Sequence, residues 1–165
     1  PGGPQLEKMA GKGDASRFKL PRPMFGRPHC HFSFSGLKTA VSQVFREAKE
    51  NGFSKKDVAD LCASFQMSVA EVIADRCRKA VKCFQERHKD GKLLVIAGGV
   101  ASNRTLAKAI TEVALENNMA LIVPPPDLCT DNGAMVAFAG SLWLSNGAKG
   151  SLDVQARARW ALEEL

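Results

Sequence analysis

Nowhere does this sequence hold an apolar run approaching the ~20 residues that a membrane-spanning helix needs. Residues 92–100 are too short, and residues 133–144 contain glycines and read as a buried helix. No secretory leader is legible at the N-terminus, so no membrane partner is expected. The five cysteines, at 30, 62, 77, 83 and 129, are scattered and odd in number, and none forms a CxxC pair. Reduced, mostly buried thiols in a cytosol-like compartment are expected. There is no HExxH, which removes a zinc protease. Neither GxGxxG nor GxxxxGK[ST] occurs, so the chain carries neither a Rossmann fingerprint nor a Walker loop. Internal repeats and low-complexity blocks are missing as well.

What is present is sufficient for one domain. The chain has 165 residues, 45% hydrophobic and 24% charged, which allows a real core and excludes global disorder. The net charge is +6, unevenly spread. Between residues 12 and 27, Lys12, Arg17, Lys19, Arg22 and Arg27 stand against the single acid Asp14, a local net charge of +4. A solvated basic loop is one reading; a contact for an anionic partner such as RNA, carried by Arg17, Lys19 and Arg22, is the other.

Periodicity sets the remaining expectations. After a Pro-Gly-Gly-Pro opening, a short helix with Pro4 in its first turn is predicted, followed by a basic loop over 11–31. His31, Ser33 and Ser35 alternate with Phe32 and Phe34, which predicts a short strand. A helix follows Ser35-Gly36 and stops near Asn51-Gly52. Ser54, with Asp57 three residues on, caps a long helix from about 55 to 88 whose apolar residues recur at helical spacing. "KLLVIAG" predicts a buried strand, "SNRTLAKAITEVALENN" a helix, "ALIVPPP" a second strand and "CTDNGAMVAFAGSLWLSNG" a loop entering an apolar helix. Strand, helix and strand over 92–123 form a βαβ-like unit with a parallel pair.

Three places in this pattern could carry chemistry. Gly98-Gly99 end a strand before a helix, where bare backbone lets a phosphate or sugar approach helix N-terminal amides; a tight turn is the plain alternative. Asn103 or Ser102 could cap that helix, and Asn103 could instead offer its amide to a ligand. Asp131 follows the second strand at the ligand-binding end of such a sheet, as a metal ligand or as a helix cap. His29-Cys30-His31 lacks a second ligand cluster, so a surface or packing role is expected for it.

Read together, "PGGP", "FSFSGLKTAV", "GGVASNRTL" and "PPPDLCTDNGAMVAFAG" closely resemble the tRNA N6-adenosine threonylcarbamoyltransferases, in their bacterial form. The resemblance runs from Pro1 to about Arg159. It implies an α/β fold of the actin-like ATPase and sugar kinase type, with residues 1–165 as the C-terminal lobe and the N-terminal lobe absent. Within it, 92–146 would form the ligand and metal unit. The implied activity is acyl transfer from threonylcarbamoyl-AMP to N6 of adenosine 37 in the tRNA anticodon loop (t6A formation). One metal ion, Fe2+ or Zn2+, is implied, held by an HxxxH motif and an aspartate. The implied partners are an actin-like paralogue and a small P-loop ATPase, in the cytoplasm or alternatively in mitochondria. By position, Gly3, Glu7, Gly98, Gly99 and Asn103 match ligand-contacting residues, with Glu7 standing where the family often has Asp. Asp131 matches the metal-binding aspartate. The chain contains no HxxxH, so it is expected to be inactive by itself and no catalytic residue is assigned. A non-catalytic actin-like scaffold of the same complex is the alternative; a sugar kinase or chaperone ATPase would lack the "CTDNGAM" block.

Overall fold

The computed structural model describes residues 2–50, 52–151, 153, 155–159 and 161. Its spine is a 33-residue helix. In chain order the elements are α1 (Gly2–Ala10), α2 (Leu37–Glu50), α3 (Lys55–Arg87), β1 (Leu93–Val95), α4 (Arg104–Glu116), β2 (Ala120–Ile122) and α5 (Gly133–Ser145). Two 3₁₀ turns, Gly99–Ser102 and Pro126–Leu128, precede α4 and α5. The architecture is α/β, mostly helical, with one small parallel sheet: β1 pairs with β2 in the register Leu93–Ala120, Leu94–Leu121, Val95–Ile122.

α3 starts where the sequence places it. The Ser54 hydroxyl accepts the Asp57 N–H at 3.2 Å, and the Asp57 carboxylate accepts the Ser54 N–H at 2.9 Å. That reciprocal capping box satisfies two orphan donors and contributes about 1 kcal/mol. One face of α3 packs on α4 and the sheet through Ala74, Val81, Val113, Ala114 and Met119. Further along, Leu61 meets Leu20 and Leu37, and Phe18, Val41, Phe53 and Phe65 close around them. Cys77 belongs to the first cluster, whereas Cys83 faces Cys30 with the sulfurs 4.0 Å apart.

The basic loop is not a free arm. It runs along α3 in the same direction, held at successive points. Asp14 N–H donates to the buried Asp60 at 2.8 Å, and Phe18 N–H to Ser64 Oγ at 3.2 Å. Arg17 pairs with Asp57 and Asp60, and Arg22 with Glu71. Gly26 N–H donates to Asp75 at 3.0 Å, and the buried Arg76 donates to the His29 carbonyl at 2.6 Å. Asp57, Asp60, Ser64, Glu71 and Asp75 lie within about 60° of one another around the helix, so a single stripe carries these attachments, and Arg76, about 100° further round, adds the last one.

The structure departs from three sequence expectations. Residues 31–34 are not a strand: no partner strand pairs with them among the described residues, and Phe32 and Phe34 are exposed, so their alternation has no buried face. β1 is a strand but not a buried one; Leu93 and Val95 are both 60% exposed and only Leu94 packs inward. α5 was expected to be buried, yet Met135, Val136, Phe138, Leu142, Trp143 and Leu144 are all exposed. The chain divides into two compact units, one ending at Thr130 and one beginning at Asp131, so α5 is described by itself. α2 follows Gly36 and ends at Glu50, in keeping with the stop expected near Asn51-Gly52: Gly52 has a φ of +83°, and Asn51 itself lies outside the described residues.

Candidate ligand-binding site

β1 and β2 are parallel, so the segments following them leave the same end of the sheet. After β1 the chain turns at Gly98, whose φ of +84° is a conformation that favours glycine. The 3₁₀ turn Gly99–Ser102 comes next, and Asn103, in extended conformation, caps α4. A side chain at Gly99 or at Gly3 would meet no atom within 4 Å, so both residues present bare backbone to open space.

Four residues matched to the ligand site meet around one cavity of about 410 Å³: Gly3 and Glu7 from α1, Gly99 from the turn and Asn103 from the cap. This is within the range of small-molecule sites, roughly 300–1,000 Å³. Phe65 and Val69 of α3, with Leu6, Val100 and Leu106, give it apolar walls. Gly98 is the turn behind the cavity and does not line it.

The polar groups form a connected set. Asn103 Oδ1 accepts the Leu106 N–H at 3.1 Å, while Asn103 Nδ2 donates to Gln66 Oε1 at 2.8 Å. Gln66 Nε2 donates to Thr105 Oγ1 at 2.7 Å. Glu7 Oε1 accepts the Arg104 N–H, the first amide of α4, at 2.8 Å. Asn103 is therefore the cap, not Ser102, and its cap bond leaves one Nδ2 hydrogen and further lone-pair capacity uncommitted. Two amides at the start of α4 already have side-chain acceptors. This differs from the expectation of a phosphate on that helix terminus: a ligand here meets the glycine backbone, two amide side chains and one carboxylate.

Gln66 was not singled out by the sequence, although it is buried and bridges Asn103 to Thr105. Its one signal is position: an amide in the apolar stripe formed by Cys62, Phe65, Val69 and Ile73 of α3.

The remaining candidates fall elsewhere. Asp131 begins the second unit, is exposed and does not cap α5; Asn132 does, accepting the Met135 N–H at 2.9 Å. The rings of His29 and His31 lie 4.5 Å apart, and no group of three His, Cys, Asp or Glu suited to a metal occurs among the described residues. Arg17 and Arg22 are committed to the ion pairs that hold the loop on α3, so of the three cations assigned to RNA only Lys19 forms no ion pair among the described residues. The sequence did not show this, because the neutralising acids stand more than 35 residues away, on α3.

A parallel βαβ unit with a glycine turn after its first strand, beside an apolar cavity with convergent amides and a carboxylate, defines an α/β module whose cavity has the size and lining of small-molecule sites. Comparison with known proteins names it. The chain belongs to the tRNA N6-adenosine threonylcarbamoyltransferase (TsaD) family, whose model matches residues 1–138. Proteins of that name from Rhodospirillum rubrum, Rhodopseudomonas palustris (strain HaA2) and Methylocapsa acidiphila are each 50% identical to it over 163 residues, 99% of this chain. The alignments cover 45%, 44% and 46% of those proteins, so the chain spans a little under half the length of these relatives.

Proposed function

We propose that the protein forms t6A37 in tRNA by moving the threonylcarbamoyl group of threonylcarbamoyl-AMP to N6 of adenosine 37. The observation that carries this reading is the meeting of Gly3, Glu7, Gly99 and Asn103 around one cavity. The apolar walls suit a nucleobase. The two bare glycines allow close approach of sugar and phosphate, the amides of Asn103 and Gln66 orient the ligand, and the Glu7 carboxylate suits ribose hydroxyls. In the reaction the adenine amine attacks the carbamoyl carbon. The bond from that carbon to the phosphate oxygen breaks, AMP leaves with the electron pair, and N6 gives up a proton. The contribution of this chain is to hold the adenylate so that the leaving phosphate is fixed.

The donor chemistry at Asp131 fits one ligand of a metal site, since Asn132 relieves it of capping and its carboxylate is exposed. A bound iron or zinc ion, held in part by Asp131, would polarise the carbamoyl oxygen as a Lewis acid. The finer fold reading is the actin-like ATPase and sugar kinase type. The proposed partners are an actin-like paralogue and a small P-loop ATPase, and the proposed setting is the cytoplasm.

The test uses the full-length protein and its partners, with transfer followed by mass analysis of tRNA nucleosides. Gly99→Val places a side chain in open cavity space. The expected result is normal melting with adenylate binding and t6A formation lost. Transfer by Gly99→Val at the wild-type rate would overturn the assignment of the cavity.

A further inference from the structure

A second concave surface on the first unit serves none of the roles above. It is a groove of about 340 Å³ between residues 26–28 of the loop and the second half of α3. Arg27, Arg76, Arg78, Lys79 and Lys82 line it against one acid, Asp75. Asp75 is neutralised by Arg76, and Arg78 makes a two-pronged pair with Glu116 at 2.6 and 3.0 Å. Arg27, Lys79 and Lys82 form no ion pair among the described residues. Three uncompensated cations thus converge on one concavity.

The groove is also fixed in shape. Arg76 is 1% exposed, and it holds the loop through the His29 carbonyl while Asp75 takes the Gly26 N–H. Positive φ at Met24 (65°) and Gly26 (73°) turns the chain so that Arg27 lies over α3. A merely solvated loop does not require a buried arginine to position it. Phe25, two residues before Arg27, is 52% exposed and lines an adjoining cavity that shares Arg78 with the groove, an aromatic face of the kind on which an unpaired base stacks.

We propose that this groove is a docking surface for RNA backbone phosphates, through Arg27, Lys79 and Lys82. The proposal rests on the reading of the protein as acting on tRNA and relocates the RNA contact away from Arg17 and Arg22. Arg76 and Asp75 are positioning residues for it.

Binding of tRNA to the full-length protein is measured by fluorescence anisotropy over a range of salt concentrations. Arg27→Gln, Lys79→Gln and Lys82→Gln are combined in one variant. A control variant carries Lys38→Gln, Arg46→Gln and Lys49→Gln on α2, an equal charge change outside the groove. Each lost phosphate contact removes about 0.7–0.9 from the slope of log K against log salt. The groove variant is expected to bind tRNA at least tenfold more weakly at low salt, with a slope shallower by about 2–3. The control is expected to keep the wild-type slope. Equal weakening in both variants, or unchanged binding in the groove variant, overturns the groove while leaving the transferase reading intact. Failure of the wild type to bind tRNA at all overturns that reading and the groove with it. If the triple variant melts early, Lys82→Gln alone, at an exposed position, is expected to lower the slope by about 0.7–0.9, and no change in slope overturns the proposal.

Discussion

Asn103 performs a structural task and, in the proposed function, a ligand-binding one, and two substitutions separate them. Asn103→Ala removes the α4 cap, at about 0.5–2 kcal/mol. It also leaves the buried Gln66 Oε1 without its donor, at about 1–3 kcal/mol. Together these reach roughly 2–4 kcal/mol, or about 5–15 °C in Tm for a domain of this size. Loss of adenylate binding in that variant would therefore say little about direct contact. Asn103→Asp is the informative change. The carboxylate still accepts the Leu106 N–H, and Gln66 can rotate its amide so that Nε2 donates to the new Asp while Oε1 accepts the Thr105 hydroxyl. Melting within a few degrees of wild type is expected. The adenylate, however, loses an amide donor and gains a like charge, so binding measured by titration calorimetry should fall about 10- to 100-fold, or roughly 1.4–2.8 kcal/mol. Wild-type affinity in Asn103→Asp would reduce Asn103 to a cap. Wild-type melting in Asn103→Ala would refute the account of the hydrogen-bond chain.

Asp131→Asn leaves the α5 cap in place, because Asn132 supplies it; in the full-length protein elemental analysis should find metal lost or much reduced and melting of the metal-free form unchanged, and equal metal content would remove Asp131 from the shell. Gly13→Ala places a Cβ 2.0 Å from the Ala59 carbonyl oxygen on α3, so the loop must shift; a cost of about 1–3 kcal/mol or more is expected from chemical denaturation, and an unchanged midpoint would contradict the close approach. The carboxyls of Asp14, Asp57 and Asp60 are held below the usual range, by the Ser16 hydroxyl, the Ser54 hydroxyl and the Lys56 ammonium first among their causes. Folded values below unfolded ones mean stabilisation that is complete above roughly pH 4 and lost as pH falls through the folded values. Protection of the 11–31 backbone amides against hydrogen exchange, taken relative to their intrinsic rates at each pH, should fall below that pH, and constant protection would show these contacts to be incidental.

Where a local rule settles an element, the sequence was sufficient. α3 was legible because Ser54 and Asp57 close its start and its apolar stripe persists for nine turns. β1, α4 and β2 were legible because glycines and prolines bound short apolar runs. Residues 31–35 failed because a strand is a relation between two segments, and alternation in one of them cannot show that the other is present. Apolarity at 133–144 marks a surface that prefers cover, but it does not say which residues supply it. The glycines, Glu7 and Asn103 were recognisable from their motifs. Gln66 was not, since it stands 37 residues before its partner Asn103 in an otherwise apolar stripe. The ion pairs of Arg17 and Arg22 were likewise invisible, because charge counted along the loop takes no account of the acids on the helix beneath.

α3 also acts as a ruler. Gln66 at the cavity and Lys79 and Lys82 at the groove are 13 and 16 residues apart on one uninterrupted helix, a separation of about 20–24 Å at 1.5 Å per residue. A single residue inserted between Ser64 and Glu71 would turn everything downstream by about 100°. Glu71, Asp75 and Arg76 would swing out from under the loop, and the groove would open although none of its own residues had changed. Point substitution can drift along this helix, but its length cannot. Gains and losses of residues between relatives should therefore collect at the His88–Lys92 connection and be excluded from the stretch of α3 between Asp60 and Asp75.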